Sequence, residues 1–204
     1  MFEISLKNMT SYMFNGSKVF EIENFYQNPN LVINYILSND PLVWKSWDQP
    51  SYNGHFFSDL RHNITDERFV SVSTILEKLT GQLVTEPKKI LTNYTKFYYN
   101  SFNNYKQNFW APHEDLGYTA IVYLNKYTGP GTNLYERSGL DYWTMPEHYE
   151  PWRNRKKYKI IKTFEAKFNK LILFDGNRFC HGMAIEDETF FETYRFNQAI
   201  FMKN

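Results

Sequence analysis

The 204-residue chain is long enough for one domain with a sizeable core, and nothing in it marks a second. Its 23 basic and 22 acidic residues leave a net charge of +1, which gives no argument for a nucleic acid or a membrane surface as partner. A hydrophobic fraction of 42% excludes a disordered chain, and the single cysteine, Cys180, excludes a disulfide framework and a Cys-based zinc site. The 18 Phe, 16 Tyr and 5 Trp lean the composition toward half-buried strands.

In chain order, residues 17–22, SKVFEI, alternate like a strand. Asn28-Pro29 reads as a helix start, cap then first helical position, and the apolar run Asn30 to Leu37 continues it toward Asn39-Asp40-Pro41. Residues 42–64 lack a period and read as loop with a short strand. A second helix has Thr65 as cap and Asp66 and Glu67 in its first turn. Phe69, Val72, Leu76 and Leu79 form its apolar stripe, and Gly81 stops it. After Pro87 come six strand-like runs: ILTNYTKFYYN, TAIVYLN, GTNLYER, YKIIKTFEA, KLILFD and FETYRFNQAIF. Helical support over roughly 28–81, followed by short strands over roughly 88–202, argues for a mainly β fold with flanking helices. The expected core is a double-stranded β-helix of the jelly-roll, cupin-like type. Residues 137–157 fit no strand pattern and read as an insertion between two barrel strands. Within and just after it, the basic run Arg153 to Lys159 reads as a solvated face. No signal peptide and no apolar run of about 20 residues is visible, so the expectation is a soluble, cytoplasmic protein.

The chemistry gathers in FWAPHEDLGYTAIVYLN. In an extended segment residues i and i+2 share a face, so His113 and Asp115 can converge while Glu114 turns away. A third ligand is offered by His181 in LILFDGNRFCHGMA; His62 and His148 are not embedded in such a run. Two histidines and a carboxylate on one side of a metal leave the opposite positions open, as in non-haem Fe(II) oxygenases. Fourteen residues beyond His181 stands Arg195, whose planar fork suits a dicarboxylate, and it shares its strand face with Thr193 and Asn197.

Four blocks in this order resemble the prolyl 4-hydroxylase-like branch of the 2-oxoglutarate/Fe(II)-dependent dioxygenases. They are His113-x-Asp115 with the strand AIVYLN behind it, Gly131 to Leu134, KLILFD…CHG with His181, and Arg195. The opening EIENFYQNPNLVINYIL resembles that family's strand–helix entry, and residues 42–64 and 137–157 depart from it. The resemblance implies Fe(II) on His113, Asp115 and His181, with 2-oxoglutarate and O2 as cosubstrates. Arg195 would hold the far carboxylate of 2-oxoglutarate, with Tyr123 as a further donor. Tyr98 or Tyr99, on the strand before the His-x-Asp pair, would add another hydrogen bond, and spacing does not choose between them. A carboxylate at position 115 implies hydroxylation, because halogenating members lack it. The implied substrate is an amino-acid residue, in a peptide or free, or another small molecule. Tyr142, Trp143, His148, Tyr149 and Trp152 make the insertion a candidate lid. Two other classes fit the same residues. A cupin-type metalloenzyme without 2-oxoglutarate would not need Arg195, and a non-enzymatic jelly-roll module would not need the three ligands to converge.

Overall fold

The computed structural model describes residues 2–38, 45–46, 57–64, 70–82, 89–97, 105–126, 128–136, 152–189 and 195–202. Its elements run, in chain order, β1 (Asn8–Phe14), β2 (Ser17–Glu23), α1 (Pro29–Leu37), β3 (Lys45–Ser46), β4 (Phe57–Ile64), α2 (Val70–Thr80) and β5 (Lys89–Phe97). They continue with β6 (Asn108–Trp110), β7 (Tyr118–Tyr123), β8 (Gly129–Glu136) and β9 (Trp152–Asn154), then a turn of 3-10 helix, β10 (Lys159–Ala166), β11 (Leu171–Asp175), β12 (Cys180–Met183) and β13 (Arg195–Met202). No helix among the described residues is long and apolar enough to cross a membrane.

The large sheet has the order β1-β2-β11-β7-β13-β5-β4-β3, the small sheet β10-β8-β12, and β6 pairs with β9. A single antiparallel bridge, His113 to His181, attaches the segment after β6 to β12. From β5 onward the chain therefore alternates between sheets: large at β5, small at His113, large at β7, small at β8 and β10, large at β11, small at β12, large at β13. That is the double-stranded β-helix expected from the strand-rich second half. Its ladders are antiparallel throughout.

Alternation along the strands builds two cores. Ala120 and Val122 of β7, Leu171 and Leu173 of β11, and Phe196, Ile200 and Met202 of β13 meet Val32 and Ile36 of α1 and Val72 and Leu76 of α2. Their neighbours of opposite parity, Ile121, Tyr123, Ile172 and Phe174, fill the barrel with Leu134, Phe164, Ala166 and Phe179. So α1 and α2 cover the outer face of the large sheet, which frees its inner face for other residues. α1 begins as expected, with the Asn28 side chain accepting from the Leu31 N–H and Pro29 in its first turn. α2 ends at Gly81, whose φ of 71° suits a glycine. Thr65, Asp66, Glu67 and Phe69 lie outside the described residues.

Three expectations need correction. β1 was not expected, although Asn15-Gly16 is a two-residue hairpin signal; both residues have left-handed backbone, φ 49° and 75°. The strand expected within 42–64 is not short: residues 57–64 form the eight-residue β4, paired along its length with β5. Its sequence, FSDLRHNI, does not alternate cleanly, so sheet pairing overrides weak local pattern. The insertion is not irregular to its end, because residues 152–154 form β9 against β6; residues 137–151 lie outside the described residues.

Candidate metal centre

The centre starts from the backbone. His113 and His181 exchange two main-chain hydrogen bonds, 2.9 and 2.8 Å, as a single bridge rather than a ladder. Opposite residues of such a pair present side chains on one face, and the two imidazole rings lie 4.4 Å apart. Asp115 is fixed by its N–H to the Gly176 carbonyl, 3.1 Å, in the turn after β11. No side chain fits at position 176, where a Cβ would stand 2.7 Å from that of Asp115. His181 Nε2 lies 3.2 Å from Asp115 Oδ2 and His113 Nε2 lies 3.8 Å from Asp115 Oδ1. One ligand atom from each residue falls within 4.8 Å of the others, as the i, i+2 spacing plus His181 anticipated.

Neighbours set which atoms are offered. His113 Nδ1 lies 2.7 Å from the Ala111 carbonyl, and His181 Nδ1 lies 3.2 Å from the Phe179 carbonyl. A carbonyl only accepts, so each Nδ1 donates, which turns each Nε2 toward Asp115 and toward the position a metal would take. Ala111 reaches this position in the left-handed region, φ 38°, which costs a non-glycine residue about 1–2 kcal/mol. Thr119 donates to Asp115 Oδ2 at 2.7 Å. Burial alone would raise the Asp115 pKa. The hydrogen bond and charge of His181, then the charge of His113 and the Thr119 hydroxyl, outweigh it and hold the carboxyl well below the usual carboxylate range. Phe174 packs its edge on His181 with ring centres 4.7 Å apart. The donor set, two imidazole nitrogens and an ionised carboxylate, fits Fe(II) or another first-row divalent ion.

A polar group sits deeper in the barrel. Arg195 and Asn197 of β13 are each 7% exposed, and Asn197 stands opposite Tyr123 in the β13–β7 ladder. Paired residues share a face, so Arg195, Asn197 and Tyr123 all point inward. The Tyr123 hydroxyl donates to Thr132 Oγ1 at 2.7 Å, and Arg195 Nη2 donates to the same oxygen at 3.4 Å. The guanidinium carbon lies 5.8 Å from the centre of the Tyr123 ring. Burial, partly offset by Arg195 and Thr132, pushes the Tyr123 pKa up to about 12, so the hydroxyl stays a donor at neutral pH. Among the described residues the buried Asn197 Oδ1 has no hydrogen-bond partner. Thr132 pairs with Met183 and Leu134 with His181, so the polar group lies two residues, about 7 Å, along the barrel from the metal ligands.

Tyr98, Tyr99 and Thr193 lie outside the described residues, as does His148; His62 does fall in a strand, β4. Three contributors were not anticipated. Thr132 and Thr119 could have been found by parity, since each is two residues from an inward neighbour, Leu134 and Ile121. Arg155 stands in a basic run that reads as a solvated face, yet its Nε donates to the carbonyls of Tyr105 and Asn108 at 3.2 and 3.3 Å. Its Nη2 donates to that of Ile185 at 3.3 Å. The guanidinium also lies 4.6 Å from the centre of the Phe109 ring. It thus fastens the approach to His113 onto the chain that follows His181. Trp152, from the insertion, packs edge-on against Trp110 at 4.9 Å.

No family model matches the sequence, and no curated protein matches it. Among solved structures, the chain is similar to an oxidoreductase of the 2OG-Fe(II) oxygenase family from Burkholderia pseudomallei. That match has 10% identity and a TM-score of 0.46 over 91% of this chain and 84% of that one. It is also similar to a protein from Shewanella oneidensis provisionally described as an oxygenase, at 10% identity and a TM-score of 0.42 over 87% and 76% of the two chains.

Proposed function

We propose that the chain is a non-haem Fe(II) and 2-oxoglutarate-dependent dioxygenase that hydroxylates an amino-acid residue or small molecule, with release of succinate and CO2. The observation that carries this is the convergence of His113, Asp115 and His181 within 4.8 Å of one another, in a barrel that also buries Arg195 beside Tyr123 and Thr132. Nε2 of His113, Nε2 of His181 and the Asp115 carboxylate would hold Fe(II). Bound there with 2-oxoglutarate and O2, the iron supplies oxidation of an unactivated C–H bond coupled to decarboxylation of the cosubstrate. Arg195 would take the far carboxylate as a planar, charge-assisted donor, and Thr132 and Tyr123 would hold that guanidinium in place. The distance of about 7 Å along the barrel suits a five-carbon dicarboxylate reaching from metal to clamp. Asp115 would stay ionised because the bound cation and the Thr119 hydroxyl would stabilise its charge. The order of motif blocks supports the prolyl 4-hydroxylase-like branch, and the aromatic insertion supports a lid over the mouth.

Anaerobic calorimetry with Mn(II), then 2-oxoglutarate, tests the site, followed in air by Fe(II) and NMR detection of succinate. One metal per chain, 2-oxoglutarate binding that needs the metal, and slow succinate formation are expected. Metal binding without 2-oxoglutarate binding would move the protein to a cupin-type metalloenzyme. Absence of metal binding by the wild type, or undiminished binding by His181→Ala, would overturn the assignment.

A further inference from the structure

β1 ends the large sheet on the side away from β3, so among the described residues one row of its main-chain groups has no strand beside it. The turn decides which row. In a hairpin closed by the two left-handed residues Asn15 and Gly16, the flanking residues Phe14 and Ser17 form a hydrogen-bonded pair. Pairing then alternates, so Tyr12, Thr10 and Asn8 also bond inward to β2. Met9, Ser11 and Met13 aim their N–H and C=O groups away from the sheet. Their side chains share one face, and Met9 is 41% and Met13 61% exposed.

Natural sheets blunt an open edge with lysine, proline or a bulge. β1, NMTSYMF, has no charge and no proline, and it pairs with β2 over all 7 residues without a register shift. The strand is also self-complementary about Ser11. A twofold axis through Ser11 sets Met9 opposite Met13 of a second copy, Ser11 opposite Ser11, and Thr10 opposite Tyr12. Every outward-facing residue then falls in a hydrogen-bonded pair, giving about six main-chain hydrogen bonds. The two exposed methionines cover one another across the axis, and no like charges meet. Such an isologous contact closes on itself and does not propagate into a fibre.

We infer that two copies of this chain join antiparallel through β1, making one continuous sheet of their two large sheets. The inference does not depend on the metal centre. A short edge contact of this kind belongs with small, transient interfaces, so a reversible, concentration-dependent dimer is expected. Sedimentation velocity of the full chain from about 5 to 500 µM should show monomer giving way to dimer. Ser11→Pro removes an outward N–H and no hairpin bond, so it should stay monomeric with an unchanged circular dichroism spectrum. A Met9→Lys/Met13→Lys chain and a Met9→Glu/Met13→Glu chain should each be monomeric alone and should form heterodimers when mixed. Ser11→Cys should give a disulfide-linked dimer on mild oxidation, because Cα atoms of such a pair lie about 5.5 Å apart; the native Cys180 is buried. A wild type that stays monomeric throughout, or a dimer unmoved by both Ser11→Pro and the charged pairs, would overturn the proposal.

Discussion

Replacing Arg195 by methionine keeps much of the buried stem and removes the charge. The side chain is 7% exposed and donates to Thr132 Oγ1 at 3.4 Å, while Tyr123 already supplies that oxygen with a bond of 2.7 Å. The Tyr123–Thr132 bond does not use the guanidinium and should persist in the variant, which loses the charge that a dicarboxylate would need. Truncating one partner of a buried, charge-assisted pair costs about 2–5 kcal/mol. At about 1.4 kcal/mol per tenfold, the 2-oxoglutarate Kd should rise by roughly 30- to 3,000-fold. Arg195→Lys keeps a point charge but loses the planar fork, so a rise of about tenfold is expected. Anaerobic calorimetry with Mn(II) bound reads both, and the Mn(II) affinity, set by His113, Asp115 and His181, should stay within a factor of about three. A 2-oxoglutarate Kd unchanged in Arg195→Met would refute the clamp and the geometric reasoning behind it.

Thr119→Val removes the hydroxyl that donates to Asp115 at 2.7 Å, and metal affinity should fall by about 10- to 100-fold with little change in stability; unchanged Mn(II) binding would exclude that role. Ala111→Gly relieves a φ of 38° and should raise the unfolding free energy, read by urea denaturation, by about 0.5–1 kcal/mol net of glycine's entropy. Arg155→Met removes three hydrogen bonds to carbonyls and should destabilise by about 2–4 kcal/mol in urea denaturation, far beyond the effect of Lys156→Met. Glu21 pairs with Lys170, which is 2% exposed, so Glu21→Gln should cost about 2–3 kcal/mol. Burial opposes the Glu21 charge, but Lys170 and Tyr12 more than compensate and lower its pKa. Its contribution is therefore present above the ordinary carboxylate range and lost as pH falls through the lowered value, and stability against pH should be flatter on that acid limb in Glu21→Gln.

The parts of the centre visible in the sequence are those that local geometry determines. His113 and Asp115 needed only the two-residue period of extended chain, and Arg195 and Asn197 needed only their common parity on one strand. Parity with Leu134 turns Thr132 inward, but its level beside Arg195 follows from the register that sets it opposite Met183, and no local pattern reveals that pairing. Arg155 lies in RNRKK, which looks like solvent-facing charge. Its partners at Tyr105 and Ile185 are 50 and 30 residues away, so only the fold shows it as a fastening. The extent of β4 is hidden because polar residues fall at both parities, whereas the Asn15-Gly16 turn that makes β1 a hairpin partner of β2 is written in the sequence.

The division of the candidate site between the sheets explains why its halves were unequally legible. Of the candidate metal ligands, His181 belongs to the small sheet, His113 to the single bridge that joins it, and Asp115 to the segment held by the turn after β11, while Arg195, Asn197 and Tyr123 belong to the large sheet. Each half obeys its own strand's alternation, which sequence displays. The distance between halves depends on how the sheets close, which is a property of packing. Phe174 is the residue that spans the difference: it sits in the barrel core with Tyr123 and Leu134 and also lays its edge on His181. Gly131 works at the other end, where a Cβ would come within 2.8 Å of the Tyr123 hydroxyl and 2.6 Å of the Ala166 N. An apolar core that sets the separation of two polar half-sites lets the pieces of a candidate dicarboxylate-and-metal site be read from separate strands, but not their spacing.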